Sequence, residues 1–149
     1  MSHVALTILM SGTLVAVSGA PLEHRTRLDH VSGPAEAHYR ADVAVKHRQV
    51  GTTAPGGRPS TLSCRWSAGL VVEREARGAS GSMLARTIDR ERVIEGRRPG
   101  WCSAQTEAIR KEIARRSGEL RDHVVAVAEE DHTVLRAELD RSYAARRTG

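Results

Sequence analysis

The chain has 149 residues, with 23 Lys and Arg, 18 Asp and Glu, and a net charge of +5 at pH 7. This length allows one domain of ordinary size and makes a second domain unexpected. The charge is spread thinly, at +2 over residues 1–60, +3 over 61–103 and 0 over 104–149, which is not the clustered pattern of a nucleic-acid-binding protein.

The first element is an apolar run from Val4 to Val17 that contains no Asp, Glu, Lys or Arg. Small residues follow at 18–20, so the run predicts a secretory signal peptide over residues 1–19 and a mature domain over 20–149. The run is shorter than the roughly 20 apolar residues of a membrane-spanning helix, so no span is expected in the mature chain. The alternative is a buried hairpin with strands over 4–10 and 13–19. The lack of Lys or Arg before Arg25 favours this alternative.

Four later segments alternate between apolar and polar residues, which is the pattern of half-buried strands. They predict strands over about 22–30, 37–50, 61–76 and 82–95. The pattern is clearest from Leu62 to Val72 and is interrupted in the last segment by the sequence DRER at 89–92. Short links rich in Gly, Pro and Ser connect the segments. We therefore expect an α+β fold with an antiparallel meander of three to four strands.

After Cys102 the apolar period changes from 2 to 3.6, which predicts helical structure over 103–146 with Ser103 as its N-cap. We expect this helix to cover the sheet through its apolar stripe, which comprises Ile109, Ile113, Leu120, Val124 and Val127. Continuing the stripe would place Asp131 and Glu138 at its centre. A straight helix of this length would also overhang a compact domain. We therefore expect a kink or break near 130–133, with Asp131 or Thr133 capping a second helix; the alternative is an overhanging helix that pairs with a second copy of the chain.

The two cysteines predict a Cys64–Cys102 disulfide if the protein is exported. Cys64 lies on the apolar side of the best strand and Cys102 just before the helix. The bridge would join the start of the helix to the sheet. In a cytosolic protein the two residues would instead be thiols, and Cys102 at a helix N-terminus would be mildly activated.

Two groups of polar residues contain the residue types of metal ligands. Four histidines fall on the first two predicted strands and could contribute to a zinc or copper site, although roles on the sheet face or edge are favoured: His24, His30, His38 and His47. Glu129 and His132 have the Glu-x-x-His spacing of a di-iron ligand pair, but the second copy that such a site requires is missing. No catalytic, cofactor-binding or metal-binding residue is therefore predicted.

Local motifs for serine hydrolases, zincins, thioredoxin-like proteins and phosphate loops are also missing from the sequence. The leading interpretation is a small periplasmic or secreted cell-envelope protein with a non-catalytic binding or structural role. Its partner would be an envelope protein or other envelope component, bound through the polar face of the sheet or the second helix. A homodimer through the C-terminal helix is a further option. The alternatives are a metal-dependent enzyme that uses the strand histidines, and a cytosolic nucleic-acid-associated protein if the apolar run is structural.

Overall fold

The computed structural model describes residues 21–149, so the proposed signal peptide at 1–19 and the alternative hairpin lie outside the described residues. Four strands precede two helices: β1 Leu22–Leu28, β2 Ala35–Val50, β3 Ser63–Arg77, β4 Met83–Pro99, α1 Cys102–Arg115 and α2 Ser117–Arg147. The strands form one antiparallel sheet in the order β1-β2-β3-β4. The predicted α+β meander packed by C-terminal helices is therefore confirmed.

The core lies between one face of the sheet and the two helices. Alternate residues of β3 are buried, from Cys64 through Leu70 to Ala76, as the period of 2 predicts. The helices contribute the apolar stripe identified in the sequence, which comprises Ile109, Ile113, Leu120, Val124 and Val127, and extend it to Leu135 and Leu139. Each fully buried Leu or Ile contributes about 1.5–3 kcal/mol through the hydrophobic effect.

The DRER interruption is a bulge in β4. Ala68 of β3 pairs with Ile94, and Leu70 pairs with Arg90, so residues 91–93 face Gly69 alone. Arg92 has a positive φ of 51°. A Cβ atom at Gly69 would lie 2.6 Å from the Arg90 carbonyl oxygen, so the close approach of the two strands requires glycine. These extra residues interrupt the apolar–polar alternation of the β4 sequence, although the strand itself continues through them.

The helical region is broken at Arg116, and the expectation of a break near 130–133 is wrong. The α2 helix runs without interruption from Ser117 to Arg147, so neither Asp131 nor Thr133 caps a helix. At 1.5 Å per residue its 31 residues span about 46 Å. The 17 residues of β4 span about 56 Å at 3.3 Å per residue. The sheet is thus long enough to support the uninterrupted helix, because the domain is elongated along its strands and is not near-spherical.

The predicted disulfide between Cys64 and Cys102 is present, with a Cα–Cα distance of 4.8 Å and 38 residues of sequence separation. It joins the start of β3 to the first residue of α1. The Cys102 amide donates a hydrogen bond of 2.8 Å to the Gln49 side chain, so Gln49 of β2 satisfies this helix end in place of the predicted cap Ser103. The disulfide is compatible with an oxidising extracellular compartment. Among residues 21–149, neither helix combines the length and apolar character needed to cross a membrane.

Candidate functional site on the open face of the sheet

The two helices pack on the same side of the sheet, which leaves the opposite side exposed. We call this side the open face. It carries the residues that alternate with the core residues of each strand, such as Arg25 of β1, Arg40 of β2, Glu73 of β3 and Thr87 of β4. Because antiparallel strands place paired residues side by side, the open face is organised as rows of side chains that run across the strands.

At the β1 end of the open face, three rows combine charges of both signs, and the outer two of them alternate in charge. The β1, β2 and β3 positions pair as Glu23–Arg40–Glu73, Arg25–His38–Glu75 and Arg27–Glu36–Arg77. The Glu23 carboxylate lies 3.2 Å from His38 Nε2 and 3.6 Å from Arg40 Nε. We call these the alternating rows. Opposite charges in paired positions contribute a few tenths of a kcal/mol each and favour this register of the strands.

A shallow, open depression of about 630 Å³ lies over the alternating rows. Charged side chains dominate its lining, which includes Arg25, Arg27, Glu36, His38, Glu75 and Arg77. Met83 is an apolar contributor at its β4 side. This surface offers several hydrogen-bond donors and acceptors of both signs, which suits recognition of a polar partner rather than enclosure of a small apolar ligand.

The other end of the open face has a different charge pattern. Arg48 of β2 pairs with Arg65 of β3, and Arg65 pairs with Arg97 of β4, so three arginines stand in one row. All three are exposed, and within residues 21–149 none forms an ion pair with a carboxylate. Arg97 Nε donates a hydrogen bond of 2.9 Å to Ser63 Oγ, which orients this guanidinium. We call these residues the arginine row.

A buried ionic network lies on the helix side of the sheet. Arg74 of β3 and Asp131 of α2 are almost completely buried, and Arg74 Nε lies 3.2 Å from Asp131 Oδ2. Arg74 Nη2 also donates to Glu138 at 2.7 Å, and Arg86 of β4 donates to Asp131 Oδ1 at 2.5 Å. Tyr39 of β2 donates its hydroxyl to Asp131 Oδ2 at 3.0 Å. Asp131 therefore receives charge or hydrogen bonds from all three long strands.

The network explains the misplaced helix break. The apolar stripe of α2 does pass through Asp131 and Glu138, as the sequence indicates. Asp131 is buried against Arg74, and the partly exposed Glu138 also pairs with Arg74. Arg74 occupies the buried side of β3 in phase with Leu70 and Val72. The sequence carried a signal for this contact: Arg74 lies at an apolar position of its strand, and Asp131 lies at an apolar position of its helix. A buried cation on one element matches a buried carboxylate on another.

Tyr39 is held in its neutral form by this environment. Burial raises the pKa of Tyr39 above its ordinary value, and the negative charge and hydrogen bond of Asp131 raise it further. The guanidinium groups of Arg74 and Arg86 act in the opposite direction and are outweighed. The hydroxyl is thus a hydrogen-bond donor that fixes one oxygen of the Asp131 carboxylate.

The four histidines considered as metal ligands do not converge. His24 and His47 are on the helix side, where they pair with Tyr39 and Trp66 in the register. At 3.3 Å per residue, the eight residues from 39 to 47 along β2 separate these positions by about 26 Å. His38 lies on the open face beside Glu23, and His30, in the β1–β2 turn, contacts Ser32 and Asp140.

The Glu-x-x-His pair on α2 also has no metal-like surroundings. Glu129 is exposed, whereas His132 is partly buried and its Nε2 atom has no hydrogen-bond partner among the described residues. Over residues 21–149, no group of three or more His, Cys, Asp or Glu side chains is placed to hold a metal ion.

Comparisons of the chain with protein-family models, with curated proteins and with solved structures gave no match.

Proposed function

We propose that this protein is a small exported cell-envelope protein that acts as a non-catalytic binding module. The observation that carries this proposal is the open face, because a broad surface across four strands is covered by neither helix and is lined with charged side chains. A sheet that needed only to support the helices could expose a sparse polar surface. The dense rows of hydrogen-bonding groups favour contact with another polar envelope component.

The export part of the proposal is supported by two independent features. The apolar run at 4–17 and the small residues that follow have the composition of a signal peptide. The Cys64–Cys102 disulfide belongs to the chemistry of the periplasm or the extracellular space. A core without phenylalanine also gains from such a crosslink.

The open face is favoured over the second helix as the binding surface. On α2 the stripe from Leu120 to Leu139 is already buried against the sheet, so its apolar side chains do not offer an interface to a partner or a second copy. The outward side of α2 is mainly polar. A partner that binds by charge and hydrogen bonding finds more complementary groups on the sheet.

Intact-mass measurement of the protein recovered from its native host tests export. We expect the loss of residues 1–19 or 1–20 and of two further hydrogens, which would reflect signal cleavage and the disulfide. Retention of the complete leader with two free thiols would contradict the export proposal.

Photo-crosslinking in the same host tests the binding surface. A crosslinking residue at Thr87, exposed on the open face of β4, is compared with one at Ala126, exposed on the outward side of α2. We expect discrete adducts from position 87 and none from position 126. Adducts only from position 126, or no difference between the two positions, would contradict the choice of the open face.

A further inference from the structure

We propose that the arginine row binds a linear phosphodiester polymer of the cell envelope, and this inference rests on the proposed function because export places the protein beside such polymers. The row is Arg48, Arg65 and Arg97, which occupy paired positions on β2, β3 and β4. Like charges in directly paired positions are destabilising, and two of the three alternating rows on the same sheet place opposite charges in every paired position. An anion bound along the row would relieve this repulsion.

The spacing of the row indicates the form of the ligand. Neighbouring strands are about 4.8 Å apart, so the three guanidinium-bearing positions extend over about 10 Å in a line. Guanidinium groups bind phosphate oxygens through paired N–H donors. Arg97 is already oriented through its Nε hydrogen bond to Ser63 Oγ, which leaves its terminal N–H groups available. A chain with successive phosphate groups can lie across the strands and contact each arginine.

The surroundings of the row favour a narrow polymer over a membrane surface. The adjacent row contains Lys46 and Glu95, and Lys46 is engaged by Glu91 at 2.8 Å. The carboxylates Asp42 and Asp89 lie in a row farther along the same face. A flat anionic bilayer would meet these carboxylates as well as the arginines, whereas a linear chain across the strands meets only the arginine row.

The row also lacks the features of single-stranded nucleic-acid recognition. Its neighbours on the open face are Lys46, Ser67, Glu95, Val50 and Ser63, none of which has an aromatic ring. Trp66 alternates with the row and is buried on the opposite side. Bases would therefore find no stacking platform in the row or in the rows beside it, where the phosphate backbone alone would supply the attraction. The exposed indole of Trp101 lies beyond the end of β4, outside these rows.

The test is a binding titration of the complete protein, as recovered from its host, with poly(glycerol phosphate) of defined length. We expect Arg65→Gln to weaken binding about tenfold, as for loss of a charge-assisted hydrogen-bonding group. It should also lower the slope of log affinity against log salt by about one. Arg121→Gln is the matched control, since Arg121 is exposed on α2, away from the open face. Equal effects of the two substitutions, or no effect of Arg65→Gln, would overturn the inference.

Urea unfolding of the same variants separates ligand binding from structural damage. Removing the central charge of a like-charged row should leave the unfolding midpoint of Arg65→Gln unchanged or raise it. If this variant lost stability, Arg48→Gln on β2 would replace it in the titration. A lower urea midpoint for both Arg65→Gln and Arg48→Gln would show that the row supports the fold, and would overturn the inference.

Two further ligands complete the design. Oligodeoxythymidylate with the same number of phosphates should bind no more tightly than poly(glycerol phosphate), and phosphatidylglycerol vesicles should bind more weakly. Clearly tighter binding of the oligonucleotide, or Arg65-dependent binding of vesicles alone, would overturn the choice of polymer. If the protein binds no polymer but position 87 still gives adducts in the host, only this inference is refuted. Polymer binding without leader removal or adducts would refute the proposed function.

Discussion

Removal of the Asp131 carboxylate should cause a large loss of stability. In Asp131→Ala, Arg74 remains buried and keeps only Glu138, whose side chain is 23% exposed, as a charged partner. Arg86 can turn toward solvent because its side chain is 38% exposed. The Tyr39 hydroxyl loses the acceptor that it now contacts at 3.0 Å. The variant therefore leaves one buried cation and one buried hydroxyl without their main partner.

The expected loss follows from these two groups. Breaking a buried ion pair by deleting one partner costs about 3–5 kcal/mol, and the remaining Glu138 contact places Arg74 near the lower end. The unpaired Tyr39 hydroxyl adds about 1 kcal/mol. We therefore expect the free energy of unfolding to fall by about 4 kcal/mol, which is a large share of the 5–15 kcal/mol typical of a domain.

Urea unfolding followed by far-ultraviolet circular dichroism measures this loss, with the disulfide intact in every variant. The matched control is Glu130→Ala, because Glu130 is the preceding residue and its ion pair with Arg90 is at the surface. This control should lose less than about 1 kcal/mol. The double variant Arg74→Met with Asp131→Leu should recover at least half of the loss, since it removes both buried charges. A loss for Asp131→Ala equal to that of Glu130→Ala would refute the reasoning.

Three further predictions concern the core. Above pH 10, the ordinary tyrosine pKa, the stability of the native protein should decline, because the unfolded chain releases a proton that buried Tyr39 retains. Tyr39→Phe should flatten this decline in urea midpoints measured from pH 8 to 11. An unchanged slope of midpoint against pH in this variant would contradict the assignment to Tyr39. Replacing both cysteines with alanine should lower the free energy of unfolding by roughly 4 kcal/mol for a loop of this length, and a loss below about 1 kcal/mol would show that the chain-entropy model fails here. Gly96→Ala should destabilise the protein by about 1–3 kcal/mol and alter Trp66 fluorescence, because the added Cβ would lie 2.7 Å from the indole ring. Gly56→Ala is the control for that variant, since its Cβ meets no atom within 4 Å; similar losses at the two positions would contradict the packing argument.

The strands and the disulfide could be predicted because each depends on a local or nearly local signal. Alternation in β3 assigns Cys64 to the buried side whatever its partner strands are. Cys102 lies beside the change of period that begins the helix. With two cysteines in the chain, only one intramolecular pairing exists. These features did not require knowledge of strand register.

The arginine row and the buried network could not be predicted from periodicity alone, because both depend on register. A shift of β2 against β3 by two residues would preserve every buried face, yet it would separate Arg48 from Arg65. The role of Asp131 could not be predicted for the same reason, because a charged residue on an apolar stripe is compatible with two structures. A helix can end there, or the carboxylate can meet a buried cation, and Arg74 provides the second solution.

The buried network also limits how α2 can dock on the sheet. A slip of the helix by one turn, about 5.4 Å, would bring Val127 or Leu135 to the place of Asp131. Arg74 would then face an aliphatic side chain, and the misdocked arrangement would contain an uncompensated buried cation. A stripe of leucine and valine alone would tolerate several such positions at similar energy. We infer that Asp131 selects a single alignment of helix and sheet, because each slipped alignment removes the carboxylate that faces Arg74.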